Sequence, residues 1–212
     1  MLLLALFSCG QPAPEPEAEP ISVRVASFNV SMYRDAAGAL ADDLANTELL
    51  QGRYAAAILQ QVRPDILLLN EVDTDDGTAI ARFQENFLSV GQEGQEPLSL
   101  PYVYIPETNT GEHSGFDLDN DGTVSSTPGT RAYGGDAWGY GEYAGKYGMV
   151  VLSAYPIDEA SVRTFRTLRW SEMPGNLLPT EWYDTDEAAA MRLSSKNHAD
   201  VPITVGLSLI HI

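Results

Sequence analysis

The chain has 212 residues, 44% of them hydrophobic, and sets 12 Lys and Arg against 30 Asp and Glu for a net charge of −18. That is enough apolar material for one domain with its own core, and too much for a disordered chain. A field this negative serves solubility and repels phosphate backbones, so a basic nucleic-acid-binding module is excluded and any site handling phosphate needs a cation.

The opening "MLLLALFSCG" is too short to span a membrane and places Cys9, the one cysteine, after a small residue. It resembles the end of a bacterial lipoprotein signal with Cys9 as the lipidation site; an ordinary secretory signal is the alternative. "QPAPEPEAEP" follows as a stiff, solvated tether. Residues 1–20 are thus expected to be signal and tether, and 21–212 the domain. The protein is expected to be exported, to the cell envelope or beyond, and to touch the membrane through its lipid anchor alone.

From Ile21 to Val25 apolar residues alternate with polar ones, predicting a strand that runs through Ser27-Phe28-Asn29-Val30. Leu50, Tyr54, Ile58 and Val62 recur every fourth residue, with Ala55 and Leu59 beside them, predicting a helix with that stripe inward and Pro64 as its stop. Asp42, Asp43 and Glu48 read as a solvated face. "ILLLNEVD" is an apolar run that ends on Asn70, Glu71 and Asp73. Strand, helix, strand in this order indicates an α/β unit. Asp75 to Phe87 is a further predicted helix, with Asp73 or Asp75 as its cap. "YVYI" (102–105), "YGMVVLSAYPI" (147–157), 162–168 and 201–205 are predicted strands. Residues 106–145 form a long Gly/Asp loop, and 169–190 read as irregular. Loops of that length are usually functional or disordered.

Sites in such sheets lie beyond the carboxyl ends of the strands. Asn29 and Glu71 both stand there, and one amide oxygen with one carboxylate is half of a hard-cation site. "VASFNVS", "QQVRPDILLLNEVD", "KYGMVVLSAYPI" and "RLSSKNHADVPI" together resemble successive motifs of the endonuclease/exonuclease/phosphatase superfamily, the deoxyribonuclease I-like proteins. The resemblance implies an α+β, four-layer αββα sandwich and metal-dependent hydrolysis of phosphate esters. It gives Glu71 and Asn29 the metal positions, Glu71 as the direct ligand of Mg²⁺ (or Mn²⁺), and catalytic roles to Asn29, Glu71 and His198. Lys196 becomes a phosphate-holding substrate residue, with a solvated strand start as the alternative. Tyr147 falls at an aromatic position and is assigned to core packing.

After "VPITVG" the family pattern would continue through a His strand, an Asp-x-Asn strand and an Asp-His pair. "LSLIHI" matches none of these, so the sandwich is expected to be incomplete at its C-terminus and the fragment inactive alone. The expected partner is a phosphate-ester substrate (nucleic acid, phospholipid headgroup or small ester), and the protein a monomer. "DLDNDGTV" sets Asp117, Asp119 and Asp121 at alternate positions before Gly122, the first half of a calcium loop, with Pro128 where the last ligand belongs. It reads as a structural Ca²⁺ site or as an Asx-rich turn. The alternative functions are a non-catalytic, surface-anchored binding domain and a calcium-binding adhesion module.

Overall fold

The computed structural model describes residues 21–74, 76–179, 181–206 and 208–211; Cys9, the tether and Asp75 lie outside them. In chain order the elements are β1 (Val25–Met32), α1 (Ala39–Leu44), α2 (Leu50–Val62), β2 (Ile66–Val72), α3 (Thr78–Phe83) with a π-helical turn (Gln84–Leu88), β3 (Tyr102–Tyr104), α4 (Arg131–Gly135), β4 (Gly148–Ser153), β5 (Arg163–Thr164), α5 (Thr185–Ala190), β6 (Ala199–Asp200), β7 (Pro202–Val205) and β8 (Ser208–His211).

The main sheet has strand order β1-β2-β4-β3, with β1 parallel to β2 and the other pairs antiparallel. Alternation along β2 decides the layering. Leu67 and Leu69 face the helices, where they join Leu40, Leu44, Leu59, Phe83 and Phe87 in the larger core. Ile66 and Leu68 face the other way and pack with Val151, Val201, Ile203 and Val205. Ile203 and Val205 lie on the two-stranded β7–β8 sheet, so helices, main sheet and second sheet form successive layers of an α+β fold. The apolar run of "ILLL" needs both faces covered, and both are.

The α2 stripe is a correction. Leu50, Tyr54, Ile58 and Val62 are 41–58% exposed, while Gly52, Ala55, Ala56, Leu59 and Gln60 are buried. Small residues let the helix axis approach the core closely, and this outweighs the larger side chains at the spacing i, i+4. Gln60 is buried because its amide is used. Nε2 donates to the carbonyls of Phe87, Leu88 and Val90 at 3.2, 3.0 and 2.8 Å, and Oε1 accepts from Gln92 N at 2.9 Å. Two of them, Phe87 and Leu88, close the π-helical turn, where carbonyls lack intrahelical partners.

A Cβ at Gly52 would lie 2.7 Å from the ring of Phe87, which is fully buried against Phe83. Gly52→Ala is therefore expected to destabilise by about 1–2 kcal/mol, overpacking outweighing the gain in helix propensity. Ile58→Gln on the exposed stripe should change stability by no more than about 0.5 kcal/mol. Urea titration of both variants checks the assignment, and the reverse order would refute it.

Elsewhere the boundaries contract. The first strand begins at Val25, and of 162–168 only Arg163–Thr164 is strand, paired with β6. Within 169–190, α5 begins at a capping box: the Asp184 carboxylate accepts from Asp186 N and Glu187 N, and Glu187 Oε2 from Asp184 N. The acids at 42, 43 and 48 are exposed as expected, ion-paired with Arg82, Arg34 and Arg53.

Candidate active site

Three adjacent strands break their pleat at one end of the main sheet, and each does so at a residue with positive φ: Ser31 (52°) in β1, Glu71 (55°) in β2 and Tyr147 (52°) just before β4. In register, Asn70 faces Met149 and Val72 faces Gly148, which leaves Glu71 as the extra residue of a bulge. A left-handed backbone costs a non-glycine residue about 1–2 kcal/mol. Such strain gathers where a side chain must be re-aimed for a task.

The re-aimed Glu71 carboxylate lines a cleft of about 300 Å³ with Thr110, Tyr140, Tyr147, Ser195 and Lys196. Among the described residues none donates a hydrogen bond to that carboxylate or ion-pairs with it. It sits half-buried, with its charge acting on the Lys196 ammonium across the cleft. Asn29 pairs across the ladder with Asn70, the residue before Glu71; it is exposed, and its Oδ1 accepts from Ser31 N at 3.2 Å.

Lys196 is brought in by the long loop. Asn109, fully buried, accepts no slack: its N donates to Lys196 O at 2.9 Å, and its Nδ2 to Arg166 O and Ser194 O at 2.8 and 2.7 Å. The Lys196 ammonium donates to Tyr147 O. Burial pulls its pKa below the ordinary lysine value, against the opposing pull of Glu71. The chain has two lysines, and the second, Lys146, is at the same place. Lys146 Nζ lies 5.0 Å from the Tyr147 ring centroid and Lys196 Nζ 5.9 Å. Lys146 is buried, which lowers its pKa, but the hydrogen bond and charge of Glu142 at 2.8 Å raise it further.

Asp73 corrects the expectation of a helix cap. Gly77 precedes α3 without a side-chain cap, and Asp76 accepts from Thr78 N instead. Asp73 is fully buried and accepts from Arg34 N and Tyr143 OH at 2.7 Å each and from Tyr147 N at 3.1 Å. It fastens the ends of β1, β2 and β4 together behind the cleft. Tyr147 is likewise a correction: it is half-exposed in the cleft wall, not core. His198 is exposed and is not part of that wall; its carbonyl accepts from Phe165 N.

The acidic loop is rearranged. The Asp121 carboxylate accepts from Thr123 N at 2.9 Å and turns aside. The carboxylates that converge, within 4.8 Å of one another, are Asp117, Asp119 and Asp136, which could hold a metal ion. Asp136 is buried and oriented by Leu118 N and Ser125 N at 3.0 and 2.6 Å. Burial and the repulsion of Asp121, Asp136 and Asp117 raise the Asp119 pKa, against a backbone hydrogen bond from Asp121.

A model of the Endonuclease/Exonuclease/phosphatase family matches residues 26–198. The chain belongs to that family. An endonuclease/exonuclease/phosphatase from Beutenbergia cavernae DSM 12333, known as a crystal structure, is similar at 19% identity and a TM-score of 0.40. The match covers 89% of this chain and 37% of that one, so the chain spans little more than a third of that relative. No curated protein matches. The family's chemistry is phosphate-ester hydrolysis, and the cleft at Glu71 lies within the matched residues. The Glu71 carboxylate, without a protein partner among the described residues and with room in the cleft for water and a phosphate oxygen, suits the divalent ion the family typically uses.

Proposed function

We propose that the protein is a metal-dependent phosphoesterase whose ion is held by Glu71 with Asn29 beside it. The observation that carries this reading is Glu71 itself: a carboxylate driven into a left-handed bulge, half-buried, and left without a hydrogen-bond donor among the described residues. A carboxylate left open in this way is free to take a hard cation as its partner. When bound, Mg²⁺ or Mn²⁺ would polarise a phosphoryl oxygen and offset charge on the leaving oxygen.

The chain's own groups do the positioning. Lys196 has one of its three N–H groups on Tyr147 O and offers the others to a phosphate oxygen. Asn29 orients water at the rim. His198 is exposed and outside the cleft lining, so its catalytic role rests on the family resemblance alone. Export as a lipid-anchored envelope protein through Cys9 is part of the same proposal and rests on the sequence alone.

The test is turnover of bis(4-nitrophenyl) phosphate, DNA and phospholipid headgroup esters in EDTA, Mg²⁺ and Mn²⁺. Metal-restored hydrolysis of at least one ester is expected on this reading and would overturn the expectation that the chain is inactive alone; activity indifferent to EDTA sinks the reading. A second ion, structural Ca²⁺, is proposed for Asp117, Asp119 and Asp136, on the convergence of their carboxylates. Calcium should raise the unfolding temperature of the wild type and not that of Asp119→Asn; equal shifts would discard it.

A further inference from the structure

We propose that Tyr33, Tyr147 and Tyr140 form a subsite for a planar aromatic ring on the organic group of the ester. The phosphate side of this proposal rests on the phosphoesterase reading; the ring side does not. The three rings come from separate segments and are contiguous. Tyr33 meets Tyr147 edge-on at 4.5 Å between centroids, and Tyr140 meets Tyr147 at 6.4 Å. Tyr140 and Tyr147 wall the cleft that holds Glu71 and Lys196.

The Tyr140 ring and the backbone that carries Tyr147 are held in place. Tyr140 OH donates to Glu142 Oε1 at 3.1 Å, and Glu142 is tied to the buried Lys146. Tyr147 is fixed through its N–H to Asp73 and its carbonyl to Lys196. Yet Tyr33 remains 36% exposed and Tyr140 47%. Rigid aromatic surface facing water beside a cleft is surface a ligand can cover without an ordering cost.

Charge decides which ligand. Aromatic walls also suit quaternary ammonium groups. Here both lysines of the chain already stand within 6 Å of the Tyr147 centroid, so a ligand's ammonium group would have to compete with them for that ring. A neutral or anionic planar ring meets no such competition, and its attached phosphate falls toward Lys196. The cleft volume of about 300 Å³ takes one ring and one phosphate. The charge of −18 disfavours a long polyanion running past it.

The test titrates the full chain calorimetrically with adenosine 5′-monophosphate, ribose 5-phosphate and phosphocholine, in Mg²⁺ and in EDTA. The nucleotide is expected to bind about tenfold tighter than ribose 5-phosphate, the size of one stacked base. The preference should persist in EDTA, fall below about threefold in Tyr33→Leu/Tyr140→Leu, and survive in Tyr140→Trp. Both positions are exposed, so unfolding temperatures should stay close to wild type. If the double variant fails to fold, Tyr140→Leu against Tyr140→Trp decides alone. Equal affinity for nucleotide and ribose 5-phosphate, tightest binding of phosphocholine, no binding of the nucleotide, or a preference indifferent to Tyr140→Leu overturns the subsite. Intact ring preference without turnover of any ester supports the subsite and removes only the hydrolase reading.

Discussion

Glu71→Gln is expected to weaken Mg²⁺ or Mn²⁺ binding at the cleft by at least about 100-fold and to remove metal-dependent hydrolysis with it. Outer partners of a metal ligand alone are worth about ten- to a hundredfold in affinity, and Glu71 is read as the direct ligand. The amide keeps the size of the side chain and discards its charge, so the fold should persist. Glu71→Gly separates the site from the scaffold more sharply. Removing the side chain at φ 55° relieves about 1–2 kcal/mol of strain. Glycine's greater freedom in the unfolded chain takes back about 0.5–1 kcal/mol. The glycine variant should therefore be as stable as the wild type or slightly more so, and bind no ion at the cleft. Metal titration and urea unfolding on the same three proteins give both numbers. Wild-type affinity in either variant would show that the ion, if any, sits elsewhere.

The second large effect is expected at Asp73. Asp73→Ala leaves Arg34 N and Tyr147 N facing a cavity with no acceptor, while Tyr143 OH keeps the carbonyl of Arg34 at 2.9 Å. Each buried donor left unsatisfied costs about 1–3 kcal/mol, so a loss of about 2 kcal/mol or more is expected. Asp73→Asn retains one acceptor oxygen and should lose roughly half of that. Because Tyr147 N is one of the donors, both variants should also loosen Lys196, which is anchored on the carbonyl of the same residue. Urea unfolding measures the first effect. A cost below about 1 kcal/mol for Asp73→Ala would mean that the three strand ends are held by something else.

The layered α+β fold and the position of Glu71 were legible in the chain because they rest on local signals. A run of four apolar residues demands two covered faces, and a polar residue at its end must emerge at the sheet's rim. Inward and outward faces of α2 were not legible, since the apolar spacing of Leu50, Tyr54, Ile58 and Val62 outranks Gly52, Ala55 and Ala56 on any hydrophobic count. Close helix–sheet approach reverses that ranking and shows only in three dimensions. Asp136 could not be paired with Asp117 and Asp119 from spacing, because the loop doubles back between them. Tyr33 and Tyr140 become neighbours of Tyr147 only when β1, the long loop and β4 meet. The capping box Asp184–Glu187 was readable, but Pro174 and Pro179 nearby argue for irregular chain. Asp73 looked like a cap because a short acid after a strand usually is one.

The placement of both lysines around one tyrosine has a practical consequence. Every other basic side chain in the sequence is arginine or histidine. Amine-directed reagents therefore have, apart from the α-amino group, no target away from Tyr147. Of the two, Lys196 is half-buried and Lys146 almost wholly enclosed, so a mild acylating label reports first on the residue nearest Glu71.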